Sequence, residues 1–188
     1  MTRFLPLLAL VWAAAPHAQV AYGEALPGAD VTRPLADGAR SSLAAAAGPA
    51  GLVVVFWSTT CPWTDRYAPR LAELIDGYGP AGFGFVLVDS APADAERQPL
   101  PAGLAVPVLL DPDRTLASAF GAAQTPHSYL FGPGRTLLYD GAMDDSPASP
   151  LRVRTPYLAR AMDQSVAGLP VEIQRTQAFG CSIDRAAE

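Results

Sequence analysis

Leu52-Val53-Val54-Val55-Phe56-Trp57-Ser58-Thr59-Thr60-Cys61-Pro62 is the stretch on which the reading of this chain turns. From Leu52 to Trp57 the β-formers follow one another without a polar residue, the pattern of a strand buried on both faces in a largely parallel sheet. Beyond Cys61, the residues Tyr67, Leu71, Leu74, Ile75 and Tyr78 recur at helical spacing and define one apolar face. Pro62 suits the first turn of that helix, and Pro69 is expected to bend it near the second. Cys61 therefore stands between the strongest strand and the strongest helix, close to the helix's free amides, whose partial positive charge favours thiolate over thiol. Position alone leaves two readings of Cys61 open: an activated nucleophile, or an inert cysteine packed as a small hydrophobe.

Outward from this core the elements are shorter. Asp37-Gly38 offers a tight turn for an entry hairpin within the Gly-, Ala- and Pro-rich stretch 19–49. Phe83 to Val88 reads as a second buried strand and Pro107 to Leu110 as a third, with Ala91 to Ala105 a loop or broken helix between them. Asp113 to Phe120 forms a short helix ending at Gly121. Ser128 to Phe131 and Thr136 to Tyr139 then flank the turn Gly132-Pro133-Gly134 as a hairpin. Leu158, Ala161, Met162, Ser165 and Val166 mark a closing amphipathic helix, and Val171 to Glu188 is a tail. Strand-helix-strand followed by helix-hairpin-helix indicates an α/β sandwich with a mixed central sheet flanked by helices.

A chain of 188 residues fits one domain, and 50% hydrophobic against 16% charged residues excludes a disordered acidic tail or a coiled coil. The net charge of −5 argues against nonspecific nucleic-acid binding, which depends on excess Lys and Arg. Every basic residue is Arg, which carries no functional weight by itself. Two Cys and two His exclude a four-cysteine zinc site and leave a Cys2His2 site only if every one of them is used, so neither metal nor cofactor is expected. Arg3, the apolar run Phe4 to Ala15 and the small residues up to Ala18 have the layout of a secretory signal, residues 1–18, ahead of a single domain, 19–188. The alternative, an uncleaved anchor, has too short a run for a span of about 20 apolar residues. Removal of 1–18 leaves His127 as the only histidine, no membrane span, and an exported protein, periplasmic if bacterial. In that setting two cysteines suggest a disulfide, a reactive thiol, or both in turn.

Val53 to Pro62, then Asp111-Pro112-Asp113, Ala119-Phe120-Gly121, Thr125-Pro126 and Tyr129-Leu130-Phe131 before a Gly turn, resemble the thioredoxin-like superfamily in that order, over roughly Leu26 to Val166. The segments Tyr139 to Asp145 and Thr176-Gln177-Ala178-Phe179-Gly180-Cys181-Ser182-Ile183 are similar to a peroxiredoxin-like redoxin subgroup of the alkyl hydroperoxide reductase and thiol-specific antioxidant type, with its Gly-Cys-x-Ile tail. The resemblance implies a thioredoxin-like sandwich and a cis Pro126 facing Cys61, with the backbone of Thr125 free to pair with a bound peptide. Trp63, beside the cysteine, is either a grip for such a peptide or a packed rim residue.

Two departures bear on the chemistry. Thr64 stands where the thioredoxin motif has its second cysteine, so a distant thiol must resolve the reaction. Ser58 matches the hydroxyl position of the peroxiredoxin motif, but Val54 stands at its proline position, and Arg66 or Arg135 would have to supply the peroxide-orienting arginine. Cys181 is the candidate second thiol, with three roles open to it: resolving thiol, half of a permanent structural disulfide, or unpaired. A Cys61/His127 hydrolase dyad has no spacing signal behind it, and Asp111 with Asp113 and Asp144-Asp145 read as turn caps rather than as a metal or acid–base site. The expectation is an exported thiol–disulfide oxidoreductase with Cys61 as nucleophile and Cys181 as resolving thiol, acting on a protein or small-molecule thiol or disulfide. The alternatives are a peroxiredoxin-like thiol peroxidase, with peroxide as substrate, and a redox-inert binding domain.

Overall fold

The computed structural model describes residues 20–101 and 103–183; the expected signal segment, 1–18, lies outside them. The chain opens with a small antiparallel pair, β1 (Arg33–Pro34) and β2 (Arg40–Ser41), around the Asp37-Gly38 turn, where the Ala39 amide donates to Asp37 Oδ1 at 2.9 Å. A short helix α1 (Leu43–Ala46) follows, capped by Ser42, and then β3 (Gly51–Phe56). Helix α2 (Pro62–Tyr78) begins just past Cys61 and runs on through Pro69, which lies on its exposed side. After β4 (Phe83–Asp89) and β5 (Val108–Leu110) comes α3 (Thr115–Phe120), stopped by Gly121 in the left-handed region at φ 70°. A two-residue strand β6 (Gln124–Thr125) precedes the hairpin β7 (His127–Phe131) and β8 (Leu137–Gly141). A 3-10 turn at Pro150–Arg152, helix α4 (Tyr157–Val166) and a final short strand β9 (Cys181–Ser182) complete the fold.

The main sheet has the order β5-β4-β3-β7-β8, with β3 parallel to β4 and antiparallel to β7. Val54 lies across from Val86 on one side and Tyr129 on the other, which puts the most apolar strand at the centre. Because side chains alternate across a strand, β3 and the residue after it feed two separate cores. Val53, Val55 and Trp57 join Leu71 of α2 and Leu158 and Met162 of α4. Leu52, Val54 and Phe56 join Leu43 of α1 and Leu116 and Phe120 of α3. The expected sandwich is thus formed, with helices on both faces of a mixed sheet.

Two features escaped the sequence reading. The described residues between β4 and β5 have no regular structure, yet Arg97 pins the start of the stretch: Nε donates to Asp89 at 2.7 Å, and the terminal nitrogens donate to the carbonyls of Ala91, Pro92 and Ala95. The segment after α4 is not a loose tail over its described residues, which run to Ile183. It runs beside β8, where the Asp140 amide donates to the Gln174 carbonyl and the Thr176 amide to the Asp140 carbonyl. Arg175 forks onto the buried Asp140 carboxylate through Nε at 3.0 Å and a terminal nitrogen at 2.6 Å.

Asp111 shows how a polar residue holds this core together. Fully buried, its carboxylate accepts from the amides of Leu116 and Ala117 at 2.9 and 3.0 Å and from Ser90 Oγ at 2.9 Å, and Arg33 lies 3.1 Å away. It caps α3 from inside the loop that precedes it. Asp111→Ala should cost about 2 kcal/mol, a lost cap that leaves the Leu116 and Ala117 amides without their acceptor while Arg33 keeps Asp113, read as a lower urea midpoint at unchanged slope.

His127, 6% exposed, stacks on Tyr129 with ring centroids 4.5 Å apart. Burial, and then the charge of Arg175, lower its pKa to about 4. As pH falls from about 6.5 to about 4, the unfolded chain takes up a proton at this ring that the folded chain refuses, so stability is full above that window and declines through it. The loss amounts to about 3 kcal/mol. His127→Phe should remove that part of the slope, seen as a smaller change in urea midpoint between pH 7 and pH 4.5 than in the parent chain.

Candidate functional site

Cys61 sits where β3 ends and α2 begins, at the carboxyl end of a central strand, the usual place for a site in an α/β sheet. It is the N-cap of α2, its sulfur makes no capping bond, and the residue is 2% exposed. Thr64, three residues on, is fully buried, and its hydroxyl reaches the carbonyls of Ser58 at 2.5 Å and Cys61 at 2.6 Å. The side chain that replaces a second cysteine thus ties the Ser58–Cys61 turn to the first turn of the helix. The Ser58 hydroxyl is engaged with Thr60 Oγ1 at 3.1 Å, and Val54 is part of the buried centre of the sheet.

The sulfur of Cys61 is bonded to that of Cys181, with Cα atoms 6.0 Å apart across a sequence separation of 120. That distance lies inside the range a disulfide spans without backbone movement. Strand β9 brings Cys181 there by pairing antiparallel with β6, Cys181 opposite Thr125 and Ser182 opposite Gln124. The Thr125–Pro126 peptide is cis, and the Thr125 carbonyl oxygen lies 3.4 Å from Cys61 Sγ. The sequence reading left the Thr125 backbone open for a bound peptide; in this oxidised chain it is the tail itself that occupies that edge. Gly180 is required by the fit, since a Cβ there would meet the Thr125 carbonyl oxygen at 1.9 Å.

Trp63 is half-buried and packs edge-to-face on Phe179 of the tail, ring centroids 4.6 Å apart. Arg66 lies over the same indole at 5.0 Å, and Arg135 is exposed on the β7–β8 turn at φ 56°, so neither is held against the sulfur. The structure pairs His127 with Tyr129, whose hydroxyl is 3.4 Å from Nδ1, and pairs Cys61 with a second sulfur, so the hydrolase dyad is not assembled. Asp144 is held by Arg70 at 2.6 Å, Asp145 accepts from the Arg154 amide, and Asp111 and Asp113 share Arg33, all as structural carboxylates. Among the described residues no group of three or more His, Cys, Asp or Glu is placed to hold a metal ion. Arg114, which the sequence reading passed over, lines the pocket at the disulfide together with Trp57, Ser58, Thr60 and Thr125. Its one signal was its place directly after Asp111-Pro112-Asp113.

The profile of the AhpC/TSA family matches residues 23–140. No functionally curated protein matches the chain in sequence. Among solved structures, an uncharacterised conserved protein of Geobacillus kaustophilus is similar at 28% identity and a TM-score of 0.78, over 90% of this chain and 95% of that one. A protein of Sinorhizobium meliloti 1021 is similar at 29% identity and 0.77, over 91% and 98%. The thioredoxin domain of a thiol-disulfide oxidoreductase from Bacteroides vulgatus shares the fold at 18% identity and 0.52, over 65% and 89%. With its mixed five-stranded sheet, its cysteine at the start of α2 and its cis proline, the chain belongs to the AhpC/TSA family of thioredoxin-like redoxins.

Proposed function

We propose that the protein is an exported thiol–disulfide oxidoreductase in which Cys61 is the nucleophile and Cys181 the resolving thiol. The Cys61–Cys181 disulfide, formed between a helix N-terminus and a tail strand, carries this reading. In the reduced protein the first-turn amides of α2 favour the Cys61 thiolate. That thiolate attacks one sulfur of a partner disulfide, forming a mixed disulfide and expelling the partner's other sulfur as a thiolate. The Cys181 thiolate then attacks Cys61 Sγ and expels the remaining partner sulfur, and the chain is left oxidised as the structure shows it.

The tail suits a resolving role because its two attachments are separate. Gln174 to Thr176 are held beside β8 by backbone bonds and by the Arg175–Asp140 fork. Cys181 and Ser182 are held at the site by a two-residue strand. The four residues between them span up to about 13 Å when extended. Cys181 can therefore leave the Thr125 edge to a partner segment and return, tethered at high effective concentration. Export fits a chain with a signal-like start and both cysteines in one disulfide. The substrate is a protein or small-molecule disulfide.

Cys181→Ser should abolish turnover of a disulfide substrate and accumulate a mixed disulfide on Cys61, while Cys61 alkylation keeps its parent rate once the parent is reduced. Mass spectrometry of the trapped adduct reads this, at several protein concentrations and without added glutathione. Normal turnover by Cys181→Ser would remove Cys181 from the cycle, a disulfide that resists dithiothreitol would make the chain redox-inert, and consumption of peroxide coupled to the same disulfide would make it a thiol peroxidase. Gly180→Ala tests the seat of the tail: with a methyl driven into the Thr125 carbonyl, closure of the reduced pair should slow roughly tenfold while Cys61 alkylation is unchanged. Stopped-flow mixing with oxidant followed by acid quench measures the closure.

A further inference from the structure

A pocket of about 260 Å3 opens beside the disulfide, and both cysteines and Arg114 line it. Three of its lining residues carry a buried polar atom with no hydrogen-bond partner among the described residues: Trp57 Nε1, Thr125 Oγ1 and Arg114 Nε. Trp57 is 1% and Thr125 4% exposed, so bulk water does not satisfy them, and a buried group left unpaired is costly.

The charge balance at this end of the sheet is uneven. Asp111 and Asp113 are taken by Arg33, and Asp89 is taken by Arg97. Arg114 forms no ion pair among the described residues and is held at φ 55°, a left-handed backbone that an arginine adopts with strain. A residue whose guanidinium has no ion pair among the described residues therefore lines the same cavity as the two cysteines. A guanidinium with free donors selects a carboxylate or similar oxyanion, and a disulfide is opened by a thiolate. At roughly 30 Å3 for each water-sized group, the cavity takes a molecule of at most about nine heavy atoms.

We propose that this pocket binds a small thiol bearing a carboxylate, which reduces the Cys61–Cys181 disulfide, and that Arg114 is the group that recognises its charge. The proposal rests on the oxidoreductase reading, for which it names the class of reductant. Of the two sulfurs, that of Cys181 belongs to the more exposed residue, and Cys61 at the helix start is the better leaving group. The thiolate of a first molecule attacks Cys181 Sγ, the protein S–S bond breaks, and Cys61 leaves as a thiolate. A second molecule attacks the Cys181 mixed disulfide, releasing the small symmetric disulfide and the Cys181 thiolate. Two small thiols are oxidised, the protein disulfide gains two electrons, and the protons shed by the small thiols are available to the cysteines.

The test is the rate of reduction of the oxidised full chain by mercaptoacetate, neutral 2-mercaptoethanol and cationic cysteamine, each corrected for thiolate fraction and thiol basicity. Free thiols are counted after acid quench. The expected order is anionic, then neutral, then cationic, with mercaptoacetate about fivefold ahead of 2-mercaptoethanol, as for an ion pair that keeps contact with water, and the advantage falling as salt is added. Arg114→Gln should erase the advantage of mercaptoacetate over 2-mercaptoethanol, read as the ratio of the two rates, and Arg114→Lys should restore most of it. Equal corrected rates for the three thiols on the parent chain overturn the proposal without needing a variant, and so does an advantage that survives in a folded Arg114→Gln chain. If 2-mercaptoethanol and dithiothreitol both fail to open the disulfide, the oxidoreductase reading falls instead.

Discussion

A central strand without a single polar side chain must be covered on both faces, and the rest of this fold follows from that requirement. With Leu52, Val54 and Phe56 on one side of β3 and Val53, Val55 and Trp57 on the other, neither face tolerates water, so α2 and α4 close one layer and α1 and α3 the other. The strand has to be central for the same reason, since an edge would leave its amides and carbonyls unpaired. Its carboxyl end then emerges from the sheet with neighbours on both sides. There the chain turns into α2 and delivers Cys61 to the helix start. The site is placed by burial before any of its own residues contributes.

This explains what could be read ahead of the structure. Strand β3, helix α2, strand β4 and the β7–β8 hairpin announce themselves through local apolar periodicity and glycine turns, and those signals are strongest around Cys61. The Thr125-Pro126 pair was legible only because its order after the Asp111 and Gly121 signals resembles a known family. Strands β6 and β9 are two residues each, too short for any alternation, and they pair across more than fifty residues of chain. Their partnership is set by backbone geometry at Gly180 and by the disulfide, neither of which leaves a periodic trace. For the same reason the three roles of Cys181 could not be ranked from spacing. Arg114 was invisible because nothing in a sequence tells a guanidinium with a carboxylate nearby from one without.

The four aspartates buried among the described residues give the uniform use of arginine a structural meaning. Asp89, Asp111, Asp140 and Asp144 each face an arginine: Arg97, Arg33, Arg175 and Arg70. A guanidinium offers five donors in a fixed fork, so one side chain can pair with a carboxylate and still cap carbonyls, as Arg97 does for the loop after β4 and Arg70 for the carbonyls of Ser146 and Pro147. A lysine in these places would leave several of those carbonyls without a donor. Such pairs add little stability over a well-packed apolar alternative, but breaking one is costly, so they fix loop positions more than they drive folding.

The disulfide would be a poor redox element if it alone held the tail. Closing a separation of 120 residues stabilises a fold by about 5 kcal/mol in the chain-entropy treatment, and opening it would then release both the tail and that stability. Here the burden is divided. The Arg175–Asp140 fork, the Thr176 bonds to Tyr139 and Ala142, and the backbone pairing beside β8 hold the tail upstream of its cysteine, independently of the sulfur bond. At the site itself the disulfide is accompanied by the two-residue strand, the bond from the Ile183 amide to the Ala123 carbonyl at 2.9 Å and the Phe179–Trp63 contact, and Phe179 is 47% exposed. In the proposed cycle, reduction would then free a few residues rather than the whole tail, with Cys181 kept within reach of Cys61. On the proposed function, a strong upstream anchor with a weaker seat at the sulfur is the arrangement that would let one bond serve both as a clip in the oxidised chain and as a step in exchange.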